Sequence, residues 1–255
     1  MTESATMRWE QFTEAAELFL RQGSFSQAED ALKGAIDAAR EQRGERGDAQ
    51  LARALARMAW LRSERGDKKG ANELLDSALD AAERAGAAGD EALVRALHQP
   101  LAHLLAGGTM PSIEPRAERL LAIAERALGD SARGIALPLN TLARACFKRG
   151  DLNRAEQLLK RLLAIKRAES AGSIEVAAVH ASLGKLFAAR RQHDRAEEAW
   201  RFALAIREQA LSPRDAAVAN ALLGLADACE AQGKRAQGKT LRERGLAIRE
   251  TALGP

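Results

Sequence analysis

The chain has 255 residues, 46% hydrophobic and 29% charged, which supplies enough apolar side chains for a core and excludes a disordered polymer. Aromatics make up only 4% and Tyr is absent, a composition that suits helices packed through small residues better than a sheet. The net charge of +4, from 39 basic and 35 acidic residues, permits an acidic partner but does not demand nucleic acid.

In chain order, the N-terminal MTESATMRWEQF has no basic segment followed by a long apolar one, and so does not read as a signal peptide. No run approaches the roughly 20 apolar residues of a membrane span, and a reducing, cytoplasmic setting is expected. Helices are predicted at 6–22 and 25–43, 47–65 and 68–86, 89–106 and 112–128, 131–149 and 152–169, 173–190 and 193–210, and 214–232 and 235–251. They pair into six hairpins, 6–43, 47–86, 89–128, 131–169, 173–210 and 214–251, within a single domain spanning 1–255. The fourth illustrates the logic. Leu139, Leu142, Ala143 and Cys146 fall on one helix face, Arg149-Gly150-Asp151 breaks the chain, and Ala155, Leu158, Leu159, Leu162 and Ile165 form a second apolar face.

An anchor residue near the start of each second helix, small in five of the six hairpins, marks the repeat, five residues after a turn position. The pairs are Gly23/Ala28, Gly66/Ala71, Gly108/Ile113, Gly150/Ala155, Arg191/Ala196 and Gly233/Gly238, with anchors 43, 42, 42, 41 and 42 residues apart. Small residues on first helices (Ala16, Ala59, Ala143, Gly184, Ala226) let the paired axes approach, and larger ones such as Phe187 and Trp200 fill the space between hairpins. The turn Gly107 to Pro111 looks the loosest. Pro100 and Pro138 fall within predicted helices and should kink or shorten them. In the last hairpin Arg242, Gly238 and Gly245 replace apolar or Ala positions, which reads as a polar cap. Trp9 and Phe12 either cap the first hairpin or present an exposed end. The chain stops at a repeat junction, as a piece trimmed from a longer protein would.

These features resemble the tetratricopeptide repeat, best in the fifth hairpin with His180, Leu183, Gly184, Phe187, Ala196 and Trp200. The period of about 42 rather than 34 residues, with Ala203 to Glu208 and Leu246 to Glu250 ending second helices, is similar to the kinesin-light-chain variety. The resemblance implies an all-α, right-handed α-α superhelical solenoid of about twelve helices, whose first helices line a concave groove that holds an extended peptide.

Catalytic signals are absent. His98, His103, His180 and His193 form no HExxH or i, i+4 pair, and no nucleophile elbow or phosphate-binding glycine loop occurs. Carboxylates such as Glu197, Glu198 and Asp227 read as solvated helix surface. Cys146 and Cys229 sit two repeats apart, too far for a disulfide, and read as buried core residues. No catalytic residue, cofactor or metal site is expected.

The candidate binding surface is the first-helix face: Arg53, Arg57, Trp60, Arg95, His98, Gln99, Asn140, Arg144, Phe147, Lys148 and Lys185. Asn140 matches a groove Asn of the resembling family. The centre is basic, and the ends carry Glu10, Glu14 and Glu17, and Asp227 and Glu230. Arg favours carboxylates through paired hydrogen bonds, so the expected partner is a protein segment, acidic or ending in a carboxylate. The alternatives are a structural module that self-associates or docks through its ends, and nucleic-acid binding by the basic groove, which would depend strongly on salt.

Overall fold

The computed structural model describes residues 2–86, 90–107, 113–129 and 133–253. Among these, every regular element is helical. The helices are α1 (Thr2–Arg21), α2 (Phe25–Arg40), α3 (Glu45–Glu64), α4 (Lys68–Arg84), α5 (Glu91–Ala106), α6 (Ile113–Leu128), α7 (Ala136–Arg149), α8 (Leu152–Glu169), α9 (Ile174–Ala189), α10 (His193–Ala210), α11 (Ala216–Ala231) and α12 (Arg235–Leu253). A short 3-10 turn at Arg133–Ile135 precedes α7. The chain divides into two compact units, 1–145 and 146–255.

In the first unit α1/α2, α3/α4 and α5/α6 pack as consecutive hairpins, with α3 also lying against α2 and α5. In the second unit α8 packs on α9, α9/α10 and α11/α12 form hairpins, and α10 lies against α11. The anchors Ala28, Ala71, Ala155 and Ala196, and Ile113 in the third hairpin, have no exposed surface; a small residue recurs at four of these five because the helix pairs meet there.

The hairpin turns follow one geometry. Gly23, Gly66, Gly150 and Gly233 take positive φ, and the next residue donates its N–H back five residues, as in Asp67 to the Arg62 carbonyl at 3.0 Å and Asp151 to the Cys146 carbonyl at 2.9 Å. This closes the helix end and satisfies its orphan carbonyls. Arg191 fills the same left-handed position at φ 59° without a glycine. Asp67 and Asp151 then cap the following helices, accepting from the Gly70 and Arg154 amides at 2.9 and 3.1 Å.

Of the two prolines, Pro100 departs from expectation and Pro138 sits in a shortened helix, as expected. Pro100 is buried inside an α5 that runs unbroken from 91 to 106. Helix α7 begins at Ala136, after the 3-10 turn, which places Pro138 in its first turn, where no N–H is required. The expectations for Gly108 to Pro111, and for the helix starts at 89, 112 and 131, fall outside the described residues.

Trp200 explains two glycines. Its indole lies between α9 and α11, and a Cβ at Gly184 would stand 2.7 Å from its Nε1, while one at Gly224 would overlap the ring outright. Phe12 packs against Gly34 in the same manner. The last helix is held by its polar residues. Arg242 donates to Asp227 at 2.8 Å and to Glu230 at 2.7 Å, so the arginine in an apolar slot ties α12 to α11.

Candidate functional site

In the first unit, the faces of α1, α3 and α5 enclose a cleft of about 370 Å3. Trp9, Glu10, Glu14 and Glu17 come from α1, Arg53 and Arg57 from α3, and Ala92 and Ala96 from α5. Helical spacing brings Arg53 and Arg57 to one wall. Their charge is already engaged. Arg57 pairs with Glu17 at 2.8 Å, and Arg53 pairs with Asp90, whose other oxygen caps α5 through the Leu93 amide at 2.9 Å. Glu10 and Glu14 make no ion pair among the described residues. The cleft is therefore acidic on its α1 side and nearly neutral on its α3 side.

The other candidates in this unit lie outside these walls. Arg95 pairs with Glu91 one turn away at 3.1 Å. His98 Nε2 is 2.8 Å from Thr141 Oγ1, so it ties α5 to α7; burial, and after it the charge of Arg144, pushes its pKa below the ordinary histidine value. Gln99 is exposed, Asn140 and Trp60 are half-buried, and Arg144 is exposed with no ion pair among the described residues.

In the second unit Phe147 is half-buried and Lys148 exposed. Lys185 stands at the edge of a second pocket, about 420 Å3, between α9 and α11. That pocket also contains Arg207 and Arg249, both from second helices, which a search of first-helix faces alone overlooks.

The same search overlooks a set of buried and half-buried carboxylates. Glu29, Glu114, Glu156 and Glu197 each follow a repeat anchor by one residue. Glu197 is not solvated surface. Its side chain is 4% exposed and accepts from Lys234 and Gln232 of the next hairpin, both at 2.7 Å, and from Arg201. Glu156 accepts from Lys160 at 2.9 Å, from Arg195 at 2.7 Å and from Arg190. Glu29 accepts from Arg62 and Arg65, both at 2.7 Å. Burial pushes the Glu156 and Glu197 carboxyls up, but the hydrogen bonds from their cationic and amide partners prevail and hold both below the usual carboxylate range. Glu29, Glu156 and Glu197 are clamps between successive hairpins. Their 42-residue periodicity is the sequence signal that could reveal them.

Both cysteines are buried, and the Cys229 thiol donates to Glu197 at 3.7 Å. Among the described residues no group of three or more His, Cys, Asp or Glu side chains is placed to hold a metal. No described helix is long and apolar enough to cross a membrane.

The comparisons with known proteins agree with this architecture. The tetratricopeptide repeat profile matches residues 94–168. No curated protein sequence matches the chain. Among solved structures, BtubC (BKLC) from P. vanneervenii is 22% identical with a TM-score of 0.69, covering 98% of this chain and 93% of its own. A Podosopora anserina putative kinesin light chain with nearly identical TPR-like repeats is 22% identical with a TM-score of 0.64, covering 80% and 97%. A Rap protein complexed with competence and sporulation factor is 13% identical with a TM-score of 0.54, covering 97% and 77%. Residues 94–168 are thus tetratricopeptide repeats, and the chain has the all-helical repeat fold shared with these kinesin-light-chain-like structures, a fold that generally serves as a protein-interaction scaffold.

Proposed function

We propose that the chain is a non-enzymatic interaction module that receives an extended segment of a partner protein on the first-helix faces of its repeats. The observation that carries this reading is the open cleft of α1, α3 and α5, with a tryptophan, apolar wall residues and charges of both signs directed to one surface. Such a mixture suits a polypeptide, which presents apolar side chains and hydrogen-bonding groups together. Arg53, Arg57 and Arg95 already hold carboxylates, so an acidic segment would gain most from Arg144 in the first unit, and one bound to the second unit from Lys185; neither makes an ion pair among the described residues. A partner carboxylate could also exchange with the exposed Glu17 for Arg57. A cytoplasmic setting fits this role.

The test is affinity capture by the intact chain, with identification of bound proteins by mass spectrometry, compared with the Arg57→Glu/Arg144→Glu variant. Both arginines are at the surface, and losing the Arg57–Glu17 pair costs about 1 kcal/mol or less. Loss of captured proteins with unchanged helical content is expected. Undiminished capture would remove this face from consideration.

A second reading, association through the first hairpin, is favoured by Met7 and Leu18, which are 60% and 53% exposed on α1. It requires the mass measured by light scattering to rise with concentration; a strict monomer would exclude self-association.

A further inference from the structure

The pocket of the second unit contains a cation that the fold does not require. Arg207 is only 9% exposed. Its Nη1 donates to the Ala217 carbonyl at 2.9 Å, its Nε has no partner, and it makes no ion pair among the described residues. Burial pushes its pKa below the ordinary arginine value, and the charge of Asp215 offsets that only in part, so the buried charge is costly. The neighbouring acids also have other partners. Asp215 caps α11 through the Ala217 amide at 2.7 Å, and Asp227, in the pocket wall, is held by Arg242 at 2.8 Å.

The repeat shows that this position need not be charged. Eleven residues after the anchors come Ala39, Ala82 and Ala124 in the first three hairpins, and Lys166, Arg207 and Arg249 in the last three. The three alanines are buried core. Lys166 has an internal counter-charge in Glu169 at 2.9 Å. Arg249 reaches the pocket and donates to Asn220 at 2.6 Å, and Lys185 stands at its edge with no ion pair among the described residues. Three cations thus surround about 420 Å3 of space, against an apolar wall that includes Trp200 and Leu223.

We propose that this pocket binds a carboxylate of an extended partner segment, with Arg207 supplying the buried charge, Lys185 and Arg249 closing over it, and the Trp200 indole packing against the flanking apolar side chain. The proposal rests on the interaction reading above and names the chemistry recognised in the second unit. The carboxylate belongs either to an acidic side chain or to a chain terminus, both of which present the same two oxygens to a guanidinium.

The experiment uses the intact chain with 15N-labelled tryptophan, the indole signal of Trp200 being assigned by substituting Trp9 and Trp60. Three pentapeptides are titrated: acetyl-Ala-Leu-Glu-Leu-Ala-amide, acetyl-Ala-Leu-Gln-Leu-Ala with a free C-terminus, and the Gln peptide as its amide. The Trp200 signal is expected to move and saturate with at least one carboxylate-bearing peptide and not with the neutral one; which peptide acts identifies the source. Arg207→Met is expected to weaken that binding at least tenfold while leaving the melting temperature equal or higher. If Arg207→Met does not fold, Lys185→Gln/Arg249→Gln carries the binding measurement, with a weakening of at least fivefold expected. Equal shifts with the neutral peptide, no shift with any peptide, or unchanged affinity in the variants would overturn the proposal. If these fail while Arg57→Glu/Arg144→Glu still abolishes capture, the pocket inference falls and the interaction reading stands.

Discussion

Glu197 on α10 accepts from Lys234 in the turn of the next hairpin, at 2.7 Å, although Glu197 is buried and Lys234 is half-exposed. The asymmetry sets the expected energetics. Removing the buried partner leaves Gln232, Arg201, Cys229 and Lys234 without their shared acceptor, whereas removing the outer one leaves Glu197 with the other three donors. Glu197→Ala should therefore cost about 1.5–3 kcal/mol and Lys234→Ala about 1 kcal/mol or less. Urea unfolding of the three chains, compared at equal m-value, provides the check.

The same carboxylates set an acid limit. Glu156 and Glu197 titrate below the usual carboxylate range in the folded chain. The unfolded chain binds protons first as pH falls, so their stabilisation is present above about pH 4.3, the ordinary glutamate value, and is lost as pH drops through the lower folded values. Melting temperature should fall steeply below about pH 4.3, and Glu197→Gln should flatten part of that slope. An unchanged slope would remove the clamp from the account.

His98 acts in a neighbouring window. Burial depresses its folded pKa, so neutral His98 is favoured in the folded chain, and its contribution is present above the ordinary histidine value and lost as pH falls through the folded one. A histidine NMR titration should place its midpoint below about 6.5, and His98→Asn should lessen the loss of stability between neutral and mildly acidic pH.

Trp200 against Gly224 is a packing prediction. Ala is the better helix former by about 1 kcal/mol, yet Gly224→Ala should destabilise by about 1–3 kcal/mol because the new methyl overlaps the indole. Thermal unfolding of Gly224→Ala decides which effect prevails.

Arg191 offers the opposite case. It occupies the left-handed turn position that glycine fills in four other hairpins. Arg191→Gly should stabilise by about 1 kcal/mol, since the strain of a side chain there exceeds the entropy glycine adds to the unfolded chain. Gly150→Ala, at φ 92°, should destabilise by a similar amount.

The hairpins were legible because local signals recur about every 42 residues: an apolar helix face, a turn residue, at positive φ in five hairpins of the described residues, and an anchor that is small in all but the third. Local chemistry of that kind is written in adjacent residues. The charge pattern of the candidate surface was not, because two of its arginines meet acids distant in sequence: Arg57 finds Glu17 40 residues away, and Arg53 finds Asp90 37 residues away. Residue type alone marked both arginines as available, and only the packing shows their charge engaged. Arg207 escaped for a different reason. It belongs to a second helix, and it reaches the pocket because Gly224 and the small residues of α9 leave room beside Trp200.

The central claim, that partners engage the first-helix faces, is tested most directly by site-specific photocrosslinking. Benzoylphenylalanine is placed in the intact chain at Glu14 or Ala188, in the walls of the two pockets, and at Ser77 or Ala164, exposed on α4 and α8. The account predicts adducts with the captured partner from Glu14 or Ala188 and none from Ser77 or Ala164. Adducts only from Ser77 or Ala164 would contradict it.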